Sequence, residues 1–313
     1  MTSRRTDLSR LLACYPPGWR ERYGEEFVAM MEDELDSRPP TIAFRASVAW
    51  SGLRERGHGA GLAGDPGDAA LQARAGSLVV LCSWTAFVLA GASYAKLSEH
   101  FARAMPMGTR SLAQLSFDVI FVLALTGAVV VATGVAVALP SFTRFLKNRG
   151  GTRLRRKAAV AVGLSVLEVA LVVPFLIWAH HLSSVQRNGA NVPYSVTFVG
   201  LALLAGGVLA QWTAVAVTAA RHVDFARPVL RVEATFAVVL ATVMAAITGA
   251  TVIWWGSVGR AAPWFLQGTP EGTSVSPITL NLVLTVTLMV LATSSGLFGV
   301  QRIARSWRAL TAA

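Results

Sequence analysis

Six apolar stretches, each about 20 residues long or longer, constrain the fold of this chain more than any other feature. They cover residues 77–97, 117–140, 158–181, 195–220, 232–256 and 277–300. A helix of about 20 residues is about 30 Å long, which matches the hydrocarbon thickness of a bilayer. The sequence therefore predicts an all-α integral membrane protein with six transmembrane helices. Gly296 and Gly299 interrupt the sixth span and indicate close helix packing there.

The apolar stretches divide the chain into four segments. Residues 1–57 form a charged N-terminal segment, called the head, and residues 58–75 form a glycine-rich linker. Residues 76–300 hold the six spans, and residues 301–313 form a tail. No signal peptide is expected, because the first long apolar run follows a charged segment far too long for the n-region of a leader.

The distribution of charge predicts the orientation. The net charge is +11, yet residues 1–75 carry 10 arginines and 11 acidic residues, so the excess lies among the spans. When alternate loops are assigned to alternate sides of a membrane, 23 of the 28 basic residues fall on the side of the N-terminus. The positive-inside rule then predicts that both termini are cytoplasmic. Because arginine far outnumbers lysine and alanine and valine are abundant, we expect the plasma membrane of a high-GC bacterium.

The loop predicted at residues 141–157 holds the densest group of basic residues: Arg144, Lys147, Arg149, Arg153, Arg155, Arg156 and Lys157. Two interpretations remain open. The group either sets the topology alone or also binds anionic lipid head groups, to which each cation near the surface contributes about 1 kcal/mol. Nucleic acid is not expected as a partner, because a short loop between two spans offers neither a groove nor a stacking platform.

The head shows helical periodicity in three places, separated by prolines, and we predict a cytoplasmic three-helix unit. The first stripe of apolar residues is Leu8, Leu11, Leu12 and Tyr15. The second is Trp19, Tyr23, Phe27, Met30 or Met31, and Leu35. The third is Ile42, Ala46, Ala49, Trp50 and Leu53.

Residues 15–27 of the head read YPPGWRERYGEEF. The pattern YPxxWRxRYGxE is carried by Tyr15, Pro16, Trp19, Arg20, Arg22, Tyr23, Gly24 and Glu25. It resembles the permease-prefix and HAAS-type heads of polytopic membrane proteins from high-GC bacteria. The resemblance covers roughly residues 5–57 and none of the spans. Such heads are often encoded beside PadR-type regulators or attached to export permeases, so the resemblance implies a docking or regulatory module without naming a reaction.

Acidic residues crowd the end of the second predicted helix: Glu32, Asp33, Glu34 and Asp36. Negative charge in the last turns of a helix opposes the helix dipole at a cost of about 0.3 to 1 kcal/mol for each residue. Either this segment is simply a solvated face, or it binds a basic protein partner. The aromatic residues of the motif leave a similar choice between packing and recognition.

Motifs that carry catalysis are not found in this sequence. It contains no GxxxxGK[ST], HExxH or GxSxG motif and no EF-hand loop, so we do not expect an enzyme. The two cysteines, Cys14 and Cys82, form no CxxC pair. No metal site and no cofactor are predicted.

One carboxylate lies deep within a predicted span. Glu168 is ten residues into the third span, about 15 Å from its end, where an ionised group is costly. Gln211 on the fourth span lies at a similar predicted depth, and Thr242 is the other candidate partner. We expect Glu168 to form a hydrogen bond with one of them. Its role is either structural or one in transport or proton coupling.

Two functions are compatible with these observations. The first is a non-enzymatic regulatory or scaffolding membrane protein whose head docks a cytoplasmic protein partner. The second is a transporter, or a permease subunit of an exporter that has a separate ATPase. Transporters commonly place polar groups and broken helices at the middle of the membrane, and this chain has few of either.

Overall fold

The computed structural model describes residues 10–35, 41–59, 62, 68–104, 112–147, 151–183, 186–187, 191–223, 225–261 and 278–311. The helices are α1 (Pro17–Glu34), α2 (Ile42–Gly59), α3 (Ala69–Ala104), α4 (Leu112–Lys147), α5 (Thr152–His181), α6 (Val192–His222), α7 (Arg227–Ala261) and α8 (Ile278–Thr311). No strand occurs within those ranges. α3 to α8 are long and apolar enough to cross a membrane, which confirms the predicted all-α fold with six transmembrane helices.

The first membrane helix starts earlier than the sequence predicts. α3 begins at Ala69, inside the segment predicted as a linker to residue 75. The Asp68 carboxylate caps this helix by accepting hydrogen bonds from the backbone nitrogens of Ala70, at 2.8 Å, and Leu71, at 3.2 Å. The predicted end of the linker is therefore wrong.

The predicted basic loop at residues 141–157 is mostly helical. α4 continues through Pro140 to Lys147, and α5 begins at Thr152, so only residues 148–151 separate the two helices. Proline removes one backbone hydrogen bond from a helix, but the helix continues here because Phe142 and Phe145 pack against α5 and α6. The prediction of a loop at this position is wrong.

Four membrane helices form a core. α3 packs along α8, α4 packs along α7, and α7 also contacts α3 and α8. Trp254, Met244, Val80 and Val258 are fully buried between these helices. Since lipid tails are as apolar as these side chains, close packing rather than removal from water holds such helices together.

Glycines bring the core helices into close contact, as the sequence predicts for the sixth span. A Cβ atom added to Gly76 of α3 would lie 2.6 Å from the carbonyl oxygen of Gly299 in α8. One added to Gly299 would lie 2.7 Å from the carbonyl oxygen of Gly76. One added to Gly296 would lie 2.6 Å from Cε of Met244 in α7. A side chain at any of these positions would push two helices apart or displace a neighbour.

The two remaining membrane helices, α5 and α6, form an antiparallel hairpin beside the core. Phe175 of α5 stacks on Tyr194 of α6, with ring centroids 5.0 Å apart. The hairpin meets the core mainly through α6 and α3, where the hydroxyls of Thr85 and Thr213 are 2.8 Å apart. Only 6% of the apolar window of each hairpin helix is buried, against 56% for α3.

Candidate functional site

The aromatic residues of the head motif form a cluster. The ring of Tyr15 stacks on Trp19 with centroids 4.2 Å apart, and Phe27 contacts both rings at 5.3 Å. Tyr15 is only 4% exposed, and its hydroxyl is hydrogen-bonded to Ser51 of α2. Burial raises the pKa of Tyr15 above its ordinary value. These contacts favour a packing role for these three aromatic residues.

The second helix of the head uses a different face from the one predicted. The sequence pattern placed Ile42, Trp50 and Leu53 on the inner side of this helix. In the structure they are 87%, 71% and 55% exposed, whereas Val48 and Gly52 are buried. The predicted apolar face of α2 is therefore wrong, and three large apolar side chains lie on the outside of the head.

Gly52 explains why α2 is oriented in this way. A Cβ atom at this position would lie 2.8 Å from Cβ of Cys14 and 2.9 Å from Cδ2 of Tyr15. One turn later, Arg56 donates a hydrogen bond to the carbonyl oxygen of Ala13. The sequence analysis missed Gly52. The available signal was a glycine inside a helical pattern, which costs about 1 kcal/mol relative to alanine and usually has a packing reason.

The other motif residues lie at the edge of the aromatic cluster or outside it. Gly24 is buried, but an added Cβ atom would meet Cδ1 of Leu12 only at 3.9 Å, so the contact does not require glycine. Tyr23 was predicted to lie in the core of the head, yet its side chain is 48% exposed. Its ring contacts Trp19 in a tilted arrangement, with ring centroids 5.5 Å apart. Three further motif residues are exposed: Arg20, Arg22 and Glu25.

The outward side of α1 is acidic. The helix carries six acidic residues and two arginines, and all eight are exposed. At helical spacing on one side lie Tyr23, Glu26, Met30, Asp33 and Glu34, a surface that we call the acidic face. Its two apolar members, Tyr23 and Met30, are 48% and 55% exposed. Glu32 is exposed on another side of α1, and Asp36 lies outside the described residues.

The linker that follows the head contacts α8. Arg302 of α8 donates a hydrogen bond to the carbonyl oxygen of Leu62, which follows α2 in the chain. The guanidinium of Arg302 also lies over the ring of Phe298, 4.8 Å from its centroid. This contact joins the linker to the end of the last membrane helix.

The residues predicted as a basic loop are divided between two helices. Exposed positions at the end of α4 and the start of α5 hold Arg144, Lys147, Arg155 and Arg156. Lys157 is exposed as well, but its Nζ donates a hydrogen bond to the Thr218 hydroxyl of α6 at 2.9 Å. Arg149 and the side chain of Arg153 lie outside the described residues.

The predicted hydrogen bond of Glu168 is not formed. Gln211 instead donates to the carbonyl oxygen of Lys157 at 3.3 Å, and Thr242 donates to the carbonyl oxygen of Val238 in its own helix. Lys157 and Glu168 are eleven residues apart, about 16 Å along α5, so the prediction was wrong about depth. Glu168 is half-buried, and its Oε2 atom is shielded from solvent without a hydrogen-bond partner among the described residues.

A second carboxylate, which the sequence places at a span end, lies against the core. Glu233 of α7 faces Gly134 of α4, where an added Cβ atom would lie 3.4 Å from Glu233 Oε2. Its Oε1 atom is likewise shielded and unpartnered within the described part of the chain. Glycine at position 134 leaves room for this carboxylate between the two helices.

The linker contains one pattern that resembles a nucleotide-binding motif. Residues 59–64 read GAGLAG, which fits the spacing GxGxxG. In dinucleotide-binding proteins this loop follows a strand and opens a helix. Here Gly59 ends α2, so the structural context of that motif is missing.

Comparison with known proteins identified no relative of this chain: no protein-family model, no curated protein and no solved structure matches it.

Proposed function

We propose that this chain is a non-enzymatic regulatory or scaffolding protein of a bacterial plasma membrane, with both termini in the cytoplasm. In this proposal the six membrane helices anchor the head, and the head docks a basic protein partner. The observation that carries the proposal is the acidic face of α1, which combines exposed carboxylates with two exposed apolar side chains.

The composition of the acidic face suits protein recognition. Tyr23 and Met30 provide large contact area, and tyrosine and methionine are enriched at protein interfaces. The carboxylates beside them would attract a basic partner and steer its approach. Meanwhile the opposite side of α1 is occupied by Val28 and Met31, which pack in the head cluster. Partner binding through the acidic face would therefore leave the head intact.

The interior of the membrane core supports an anchoring role. Its centre is filled by large apolar side chains, including Trp254 and Met244. The buried polar side chains among the described residues are all small hydroxyls: Ser83, Ser116, Thr251, Thr285, Thr293 and Ser306. Small hydroxyls hydrogen-bond to the backbone of their own helix, as Thr251 does to Ile247. Such a core favours tight helix packing over a polar pathway.

A transporter or a permease subunit is the second candidate, and one observation favours it. Glu168 and Glu233 each have a shielded, unpartnered carboxylate oxygen in the described structure. Ionisable groups at membrane depth often mark ion or proton pathways. These two belong to different parts of the membrane domain, the hairpin and the core, which favours separate roles over a shared pathway.

Site-specific photo-crosslinking in cells tests the docking proposal. A photoreactive phenylalanine at position 33, on the acidic face of the full chain, should form one major protein adduct. The same label at position 21 serves as the matched control, because Glu21 is another exposed acidic residue of α1 but lies on the other side of the helix from the acidic face. Replacing Glu26 and Glu34 by lysine should remove most of the adduct at position 33.

The identity of the adduct separates the two candidate functions. A transcriptional or sigma-type regulator at position 33 supports the first proposal, and an ATPase subunit supports the second. Equal adducts at positions 21 and 33, or adducts that persist after the charge reversal, would contradict docking at the acidic face.

A further inference from the structure

The second helix of the head, α2, carries a continuous apolar stripe on its exposed side. Its members recur at helical spacing and are Ile42, Ala46, Trp50 and Leu53. All of them are exposed, with exposed fractions of 87% for Ile42, 71% for Trp50 and 55% for Leu53. The opposite side of α2 packs in the head through Val48 and Gly52. The stripe is therefore available to a second surface.

Arginines border this stripe on both sides. On a helix with 3.6 residues for each turn, Arg45 and Arg56 project along one edge of the stripe and Arg54 along the other. All three are exposed. Glu55, the one acidic residue of α2, projects to the inner side with Val48. An apolar face with arginines beside it is typical of helices that lie in the plane of a membrane interface.

Hydrogen bonds hold the end of α2 beside a membrane helix. The carbonyl oxygen of Gly57, in the last turn of α2, accepts a hydrogen bond from the backbone nitrogen of Leu62 at 2.8 Å. The carbonyl oxygen of Leu62 accepts one from Arg302. Arg302 lies near the end of the candidate span Val283–Trp307, and the first candidate span begins at Ala69. These connections keep α2 close to the ends of the membrane helices.

The charge of the head selects the surface that the stripe contacts. α2 carries three arginines and one glutamate, whereas α1 carries six acidic residues and two arginines. An anionic lipid surface therefore attracts α2 and repels α1. Tryptophan is enriched at membrane–water interfaces, and arginine can reach head groups while its stem covers apolar surface. A second copy of the head would instead bring arginines against arginines, which is unfavourable.

We propose that α2 lies in the interface of an anionic phospholipid bilayer, with its apolar stripe towards the acyl chains and its arginines among the head groups. The stripe from Ile42 to Leu53 is about 16 Å long, so all of it reaches the interface only if α2 lies along the membrane surface. This contact is separate from the basic residues around position 150. It does not depend on the docking function of the acidic face, which is on the other helix.

Nitroxide depth measurements on the full chain, in nanodiscs that contain phosphatidylglycerol, test this orientation. With Cys14 and Cys82 replaced by alanine, one nitroxide is placed at position 46 on the stripe or at position 26 on the acidic face. Oxygen is concentrated in lipid, and a nickel chelate stays in water. The label at position 46 should collide mainly with oxygen, and the label at position 26 mainly with the chelate. Equal collision of both labels with the chelate would overturn the proposal.

A pair of variants measures what the stripe contributes. Trp50→Ser/Leu53→Ser should raise collision with the chelate at position 46 by about threefold or more, because apolar area sets how strongly such helices bind. Tyr23→Ser/Met30→Ser is the matched control, since it removes two exposed apolar side chains from α1 instead. It should change this collision rate by less than about 1.5-fold. An unchanged rate in the first variant, or equal changes in both, would contradict lipid contact through the stripe.

The composition and loading of the nanodiscs separate an anionic lipid surface from other occupants. In phosphatidylcholine alone, collision with the chelate at position 46 should be higher than with phosphatidylglycerol, because the arginines lose their anionic partners. Equal rates in the two lipids would overturn the assignment to an anionic surface. Shielding of position 46 only in nanodiscs that hold two chains, with spin–spin broadening, would show that a second copy covers the stripe and would overturn the assignment to lipid.

Discussion

The membrane domain contains two parts whose helices are buried against one another to different extents. The core helices α3, α4, α7 and α8 bury 56%, 17%, 44% and 33% of their apolar windows, in that order. The hairpin of α5 and α6 buries only 6% of each window. Both parts are similarly apolar, so hydrophobicity alone does not decide which helices form the core.

Close backbone contact distinguishes the two parts. In the core, Gly76, Gly296 and Gly299 face backbone or side-chain atoms that leave no room for a Cβ atom. In the hairpin, Gly163, Gly200 and Gly207 have nothing within 4 Å of an added Cβ atom, and one added to Gly206 would meet only the side chain of Leu89, at 3.2 Å. Helices in lipid associate through such close packing. We therefore expect the core to carry most of the stability of the membrane domain and the hairpin to be held more weakly.

The largest effect is expected from adding one methyl group to the core. Gly299→Ala should lower the free energy of unfolding by about 3 kcal/mol, the upper part of the usual range for overpacking, because the obstructing atom is a backbone oxygen. Unfolding in mixed micelles measures this value. Gly207→Ala in the hairpin is the control and should be neutral or stabilising by up to about 1 kcal/mol. Equal losses in the two variants would contradict the contrast between core and hairpin.

The same contrast, between glycines with and without room for a Cβ atom, can be tested within the head. Gly52→Ala should destabilise the head by about 2 kcal/mol, because the new methyl group would meet Cys14 and Tyr15. Gly24→Ala should be neutral or stabilising, since its Cβ atom has room. Hydrogen exchange of α1 and α2 in the full chain should be faster for the first variant only. Slower exchange in Gly52→Ala would show that α2 does not pack as described.

The smallest effect concerns the unpartnered carboxyl of the hairpin. Glu168→Leu should raise the free energy of unfolding by about 1 kcal/mol, because a polar group without a hydrogen bond is removed from an apolar environment. Val169→Leu, at an exposed position beside it, is the control and should have no measurable effect. A clear loss of stability in Glu168→Leu would reveal a partner for this carboxyl.

The membrane helices could be predicted because their signal is local. A long apolar run must be helical in lipid, since each backbone group has to be hydrogen-bonded within its own helix. The aromatic stripe of Trp19 and Phe27 was similarly visible, because it repeats at helical spacing. By contrast, the buried side of α2 is set by Gly52, which has no side chain and therefore contributes nothing to a hydrophobic pattern.

The partner of Glu168 could not be predicted because depth was counted from the ends of predicted spans. The register of the hairpin is set by contacts along its length, such as Phe175 on Tyr194 and Trp212 on Ser165. These contacts place Gln211 beside Lys157 rather than beside Glu168. An error of a few residues at each helix end adds up across a hairpin.

Two matched threonine pairs test most directly whether the hairpin is held less tightly than the core. The hydroxyls of Thr248 and Thr293 are 3.1 Å apart and join α7 to α8, and those of Thr85 and Thr213 are 2.8 Å apart and join α3 to α6. With Cys14 and Cys82 replaced by alanine, each pair is changed to cysteine and disulfide formation is followed as SDS is added to micelles. We predict that the hairpin pair stops forming a disulfide at a clearly lower fraction of SDS than the core pair. Loss of both disulfides at the same fraction of SDS would contradict the division into a core and a hairpin.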